Sequence, residues 1–122
     1  MKKNTAENTL TTIENESSIE SSGMNYVAVK SAARVLRAVN HKLRQRILKL
    51  LEENKRMNVS EIFVKLRMEQ SVTSQHLAIL RGAGVVITER KSKEIYYSLN
   101  TARIEKIASF VEQLVLDPNA NN

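Results

Sequence analysis

The stretch Asn58–Gly84, NVSEIFVKLRMEQSVTSQHLAILRGAG, decides the fold. Asn58-Val59-Ser60-Glu61 reads as a capping box, with Asn58 as the cap and Glu61 reaching back to it. Ile62, Phe63 and Leu66 then give a short helix of about two turns its buried face. Arg67 to Glu69 make a brief turn. A second helix is predicted from Gln70 to Gly82, with Val72, Leu77, Ile79 and Leu80 as its apolar residues. Its opposite face shows Gln70, Ser71, Thr73, Ser74, Gln75 and His76. Gly84 suits the left-handed residue that closes a helix. A short helix, a tight turn and a helix with a polar outer face make a helix-turn-helix.

Upstream, Tyr26, Val29, Ala33, Leu36 and Val39 recur at three- and four-residue steps and predict a first helix beginning near Asn25. Asn40 is the expected N-cap of the next helix, and Leu43, Ile47, Leu50 and Leu51 form its stripe. His41 is placed on the surface near that helix start. Asn54-Lys55-Arg56 breaks the pattern. Downstream, Val85 to Lys91 and Glu94 to Leu99 read as the two strands of a hairpin. In the second, Ile95, Tyr97 and Leu99 alternate with Tyr96 and Ser98. Tyr97 is assigned to the core and Tyr96 to the surface near the tip. Thr101 to Leu116 forms the last helix, striped by Ile104, Ile107, Val111 and Leu114, and Asp117-Pro118 stops it. The expected order is α-α-α-α-β-β-α, a mainly α winged helix-turn-helix with a small β-hairpin. Residues 1–22, polar and with only Leu10, Ile13 and Ile19 as large apolar groups, are expected to be a disordered tail. Residues 23–117 are the folded domain, and residues 118–122 should fray.

Composition narrows the function. The 122 residues suit one domain with a modest core, and they carry a formal net charge of +6. The charge is uneven: Lys2 and Lys3 face Glu7, Glu14, Glu16 and Glu20 in the first 24 residues, so the basic excess belongs to the rest. A compact basic domain favours polyanions through counterion release. The chain has no cysteine, which removes disulfides, thiolate nucleophiles and thiolate metal sites. No apolar run is long enough to span a membrane and no secretory signal is visible, so a cytoplasmic protein is expected. No carboxylate pair, Gly-rich phosphate loop or His-Asp-Ser set is evident, so an enzyme is not expected. No cofactor is expected either.

A helix that enters the major groove needs small or planar polar side chains in its first turns. Gln70, Ser71, Ser74 and Gln75 fit: Gln can pair bidentately with adenine, and Ser serves bases or phosphates. Arg90, Lys91 and Lys93 put three cations around the hairpin tip, which suits a wing along the minor groove or backbone. The rival reading is a winged-helix protein-interaction module that leaves DNA alone, its polar helix face merely solvated.

His41-Lys42-Leu43-Arg44-Gln45-Arg46-Ile47-Leu48, Val59-Ser60-Glu61-Ile62, Gln70 through Val86, and Tyr96-Tyr97-Ser98-Leu99 together resemble the ArsR/SmtB family of bacterial winged-helix repressors. The resemblance implies a homodimer built from the first and last helices. It implies binding to double-stranded DNA at an inverted-repeat operator and repression by blocking a promoter. It carries recognition roles to Gln70, Ser71, Thr73, Ser74, Gln75 and His76, and wing roles to Arg90, Lys91 and Lys93. Arg44 matches an arginine common in the family's second helix. The chain departs from the metal-sensing branches. The third helix starts Asn58-Val59-Ser60-Glu61 without a thiol, and the last helix offers only Glu105 and Glu112, weak transition-metal ligands alone. A metal site is therefore not expected. Glu69 stands where a Ser or Thr cap is usual, Lys42 replaces a frequent proline, and Ser92 replaces a frequent wing-tip glycine. A small-molecule inducer near the dimer interface, a protein partner, or the protein's own abundance remain as ways to switch it.

Overall fold

A computed structural model describes residues 23–116. The expectations for residues 1–22 and 117–122 lie outside the described residues. The elements run α1 (Tyr26–Val39), α2 (Lys42–Asn54), β1 (Met57–Asn58), α3 (Val59–Leu66), α4 (Gln70–Gly82), β2 (Val86–Lys91), β3 (Glu94–Leu99) and α5 (Thr101–Leu116). The chain divides into two compact units between Leu36 and Arg37. In the first, the side chain of Asn25 accepts from the Ala28 N–H at 3.1 Å and caps α1, whose first turns, with Tyr26, Val27 and Val29, are exposed.

The second unit holds the helix-turn-helix and its wing. Its core gathers Ile47, Leu50 and Leu51 of α2, Met57 of β1, Ile62 of α3, Leu77 and Leu80 of α4, and Val85 and Val86 after α4. Each large side chain buried this completely contributes about 1.5–3 kcal/mol. Tyr97, Leu99, Ile104 and Ile107 pack on the margin of that cluster, half-buried.

Three local expectations change. The N-cap of α2 is His41, not Asn40: its backbone is extended and its Nδ1 accepts from the Leu43 N–H at 3.1 Å. Imidazole Nδ1 can do what an Asn carboxamide does there, and the register of α2 selects it. The wing is a three-stranded antiparallel sheet of order β1-β3-β2 rather than a bare hairpin. Met57 pairs with Tyr97 and Asn58 with Tyr96. Two residues are too few to show an alternating pattern, so β1 is invisible in sequence. Finally, Ile79 is exposed, and its place on the buried face of α4 is taken by Thr73.

Helix junctions are closed by specific groups. Asn58 Oδ1 accepts from the Glu61 N–H at 2.8 Å while the Asn58 N–H donates to Glu61 Oε1 at 2.9 Å, completing the expected capping box. Arg67 adopts the left-handed conformation after α3, and the Met68 N–H reaches back to the Phe63 carbonyl at 3.0 Å. Gly84, at φ +79°, takes the left-handed position after α4. Asn100 joins that corner to α5. Its Nδ2 donates to the Gly84 carbonyl at 2.9 Å, and its Oδ1 accepts from the Arg103 N–H at 3.3 Å.

Candidate nucleic-acid interface

α3 and α4 form the helix-turn-helix, and α4 is its second helix. Thr73, Leu77 and Leu80 turn one side of α4 into the core. Gln70, Ser71, Ser74 and Gln75 are therefore left on the exposed side, in the first two turns. Glu69 caps this helix without a side-chain hydrogen bond. Its carbonyl instead accepts both the Thr73 N–H at 3.0 Å and the Thr73 Oγ1–H at 2.9 Å. Thr73 is fully buried, so the structure withdraws it from the exposed face on which its sequence position had put it. A hydroxyl engaged with its own helix start stabilises α4 and cannot reach a base.

His76 is half-buried beside the start of α2. Arg44 Nε donates to His76 Nδ1 at 3.2 Å, and Arg44 Nη1 donates to the carbonyls of Ala38 at 2.9 Å and Arg37 at 3.3 Å. The ring of His41 lies tilted against His76, with centroids 4.8 Å apart. Burial first, then repulsion by His41 and by Arg44, holds the pKa of His76 below the usual histidine value. The two histidines of the chain thus meet at one point, which neither local pattern announced. Among the described residues, no group of three or more His, Asp and Glu side chains converges in a way that could hold a metal ion.

In the wing, Arg90, Lys91 and Lys93 are all exposed. The register splits them. Arg90 lies opposite Ile95, on the ribbon face shared with Val86 and Thr88, while Lys91 lies opposite Glu94 on the other face. Ser92 turns the tip at φ +59°, the conformation a glycine would take without cost. At the base, Arg56 bonds Glu89 at 3.2 Å and stacks over the Tyr96 ring at 5.0 Å. Both partners are well exposed, so this clamp is worth a fraction of a kcal/mol to about 1 kcal/mol. The sequence reading passed over Arg56, although a cation just before a cap and a Tyr in the wing was its available signal. A groove of about 600 Å³ opens between α2 and α5, with Leu48, Val85, Leu99, Ile104 and Ile107 in its apolar lining. No helix of the described residues is long and apolar enough to cross a membrane.

Known proteins share this arrangement. The pattern of the bacterial regulatory protein arsR family matches residues 41–88, from the cap of α2 into β2. The transcriptional repressor PagR of Bacillus anthracis is 33% identical over 91 residues, covering 75% of this chain and 91% of that protein. The transcriptional activator HlyU of Vibrio cholerae is 31% identical over 85 residues, covering 70% of this chain and 78% of that protein. The crystal structure of PagR superposes with a TM-score of 0.59 at 35% identity over 70% of this chain and 98% of that one. The homodimeric winged helix-turn-helix DNA-binding domain of Mb0332 from Mycobacterium bovis, seen in solution, superposes with a TM-score of 0.60 at 25% identity. That match covers 75% of this chain and 87% of the other.

Proposed function

From the premise that this chain belongs to the bacterial ArsR family of regulatory proteins, we propose that it is a homodimeric repressor that binds an inverted-repeat operator without sensing a metal. One observation carries this reading. Gln70, Ser71, Ser74 and Gln75 stand exposed in the first two turns of a helix whose other side is anchored by Thr73, Leu77 and Leu80. Such a helix presents amides and hydroxyls to base edges from a rigid seat. Gln70 and Gln75 are the base readers, Ser71 and Ser74 serve bases or phosphates, and Arg90, Lys91 and Lys93 contact the backbone from the wing. Arg44 and His76 take a positioning role, because they are hydrogen-bonded to one another.

PagR is a repressor and HlyU an activator, so relatives act in both directions. Repression is favoured here because a dimer seated across a promoter blocks it with no further partner. Exposed apolar residues on α1 (Tyr26, Val29) and on α5 (Phe110, Leu114) support a dimer through those two helices. An organic inducer, if one is used, would enter the groove between α2 and α5. A catalytic role has no support in the relatives, which are transcription regulators.

Selection of bound sequences from a random duplex pool tests the proposal. A palindromic consensus with half-sites about one helical turn, roughly 10 base pairs, apart is expected. Recovery of no consensus, or indifference to every duplex at low salt, sinks it and leaves the protein-interaction module.

A further inference from the structure

We propose that His41, Arg44 and His76 form a proton-sensitive latch that seats the recognition helix α4, so that acidification loosens the helix on its scaffold. The inference deepens the DNA-binding reading and rests on it for its consequence, but its geometry stands independently.

The chemistry follows from which atoms accept. Arg44 carries only donors, so His76 Nδ1 must hold a lone pair toward it. His76 is therefore neutral in this arrangement, with its proton on Nε2. His41 is held in place by its own cap bond, its Nδ1 accepting the Leu43 N–H at 3.1 Å. Protonating His76 removes the acceptor from Arg44 and puts a second cation beside it, with the His41 ring at 4.8 Å between centroids. Arg44 is in turn the link to the Ala38 and Arg37 carbonyls. Displacing it removes the hydrogen bonds that tie α4 to α2 and α2 to the end of α1.

Among the described residues, no anion acts on His76 to compensate. α4 packs against α2, α3 and β2. Partial burial first, then His41 and Arg44 from the cap and first turn of α2, disfavour the protonated His76 ring. His76 directly follows Gln75, so a displaced His76 turns the side chains that would read bases. The sign of the linkage is set by a folded-state pKa below the ordinary histidine value. The latch contributes its full stability above that ordinary value, about 6.5, and loses it as pH falls through the lower folded one.

The test uses the full chain without DNA, melted across a series from about pH 7.5 to about pH 5, the range in which histidine titrates. His76→Asn keeps an acceptor oxygen near the position of Nδ1 but takes up no proton. Wild type is expected to lose melting temperature on acidification, and His76→Asn to lose distinctly less. Equal losses overturn the latch. Should His76→Asn fail to fold, ring-proton titration of wild type decides. The Arg44 Nε–H resonance should move at the pH where His76 titrates, and an unmoved Arg44 overturns the proposal. On a duplex chosen by selection, acidification should cost wild type more affinity than His76→Asn. A wild type that instead gains affinity relative to the variant is protonating His76 to meet phosphate, which also overturns the latch. If no duplex binds at any pH, the DNA-binding reading fails while the melting series still settles the latch.

Discussion

A Cβ placed on Gly84 would stand 2.8 Å from Nε of Arg103, the same nitrogen that donates to the Ala83 carbonyl at 2.9 Å. The end of α4 and the first turn of α5 thus meet at this corner, and a methyl group on Gly84 would have to displace the hydrogen-bonded Arg103 side chain.

Gly84→Ala should destabilise the domain by about 2 kcal/mol, combining a left-handed backbone with the Arg103 clash. In an Arg103→Ala background the clash is gone, and the same change should cost only the backbone part, about 1 kcal/mol. Denaturant midpoints at unchanged slope read both values. Identical costs in the two backgrounds would show that Arg103 does not fill that space.

Thr73→Val replaces a buried hydroxyl by a methyl of similar volume and removes the bond to the Glu69 carbonyl. A loss of about 1 kcal/mol is expected, with Thr73→Ser closer to wild type. The selected duplex consensus should stay the same for Thr73→Val. A changed consensus would return Thr73 to the reading surface.

Asn58→Ala opens the capping box at the start of α3 and should cost about 1 kcal/mol in thermal or denaturant unfolding. Asn58→Asp should retain most of the stability, since its carboxylate can still accept from the Glu61 N–H. An Asp variant as weak as the Ala variant would mean that the cap matters less than the packing of β1.

Gln75→Ala should relax base preference, seen as a broader consensus in duplex selection, because an exposed amide in the second turn of α4 is suited to one base edge. Uniform weakening on all sequences would assign Gln75 to the backbone instead. Lys91→Ala should weaken binding broadly and lower the salt slope by about 1. Since Glu94 lies across the ladder from Lys91, an unchanged slope would mean that the two charges cancel before DNA is met.

Much of the local architecture was legible in sequence. The Asn58 and Glu61 spacing and the Gly84 corner are signals that act over a few residues, and the structure holds both. The alternation of Ile95, Tyr97 and Leu99 is not held, because Ile95 is exposed and Tyr96 and Ser98 are half-buried like Tyr97 and Leu99. Thr73 was misplaced because its polar side chain outweighed its spacing. Thr73 stands four and seven positions before Leu77 and Leu80, on their buried stripe, and the Glu69 carbonyl satisfies its hydroxyl there. β1 was missed because a two-residue strand exists only through its partner, β3.

Caps, stripes and turn residues report interactions within about four positions along the chain, so they dictate the order of the elements and the outline of a helix-turn-helix with a wing. Arg44 and His76 are separated by 32 positions. Their meeting, the tilted contact of His41 with His76, and the opposite faces taken by Arg90 and Lys91 come from how α2, α4 and the strands settle against one another. Packing brings distant side chains within hydrogen-bond reach in ways that no local period encodes.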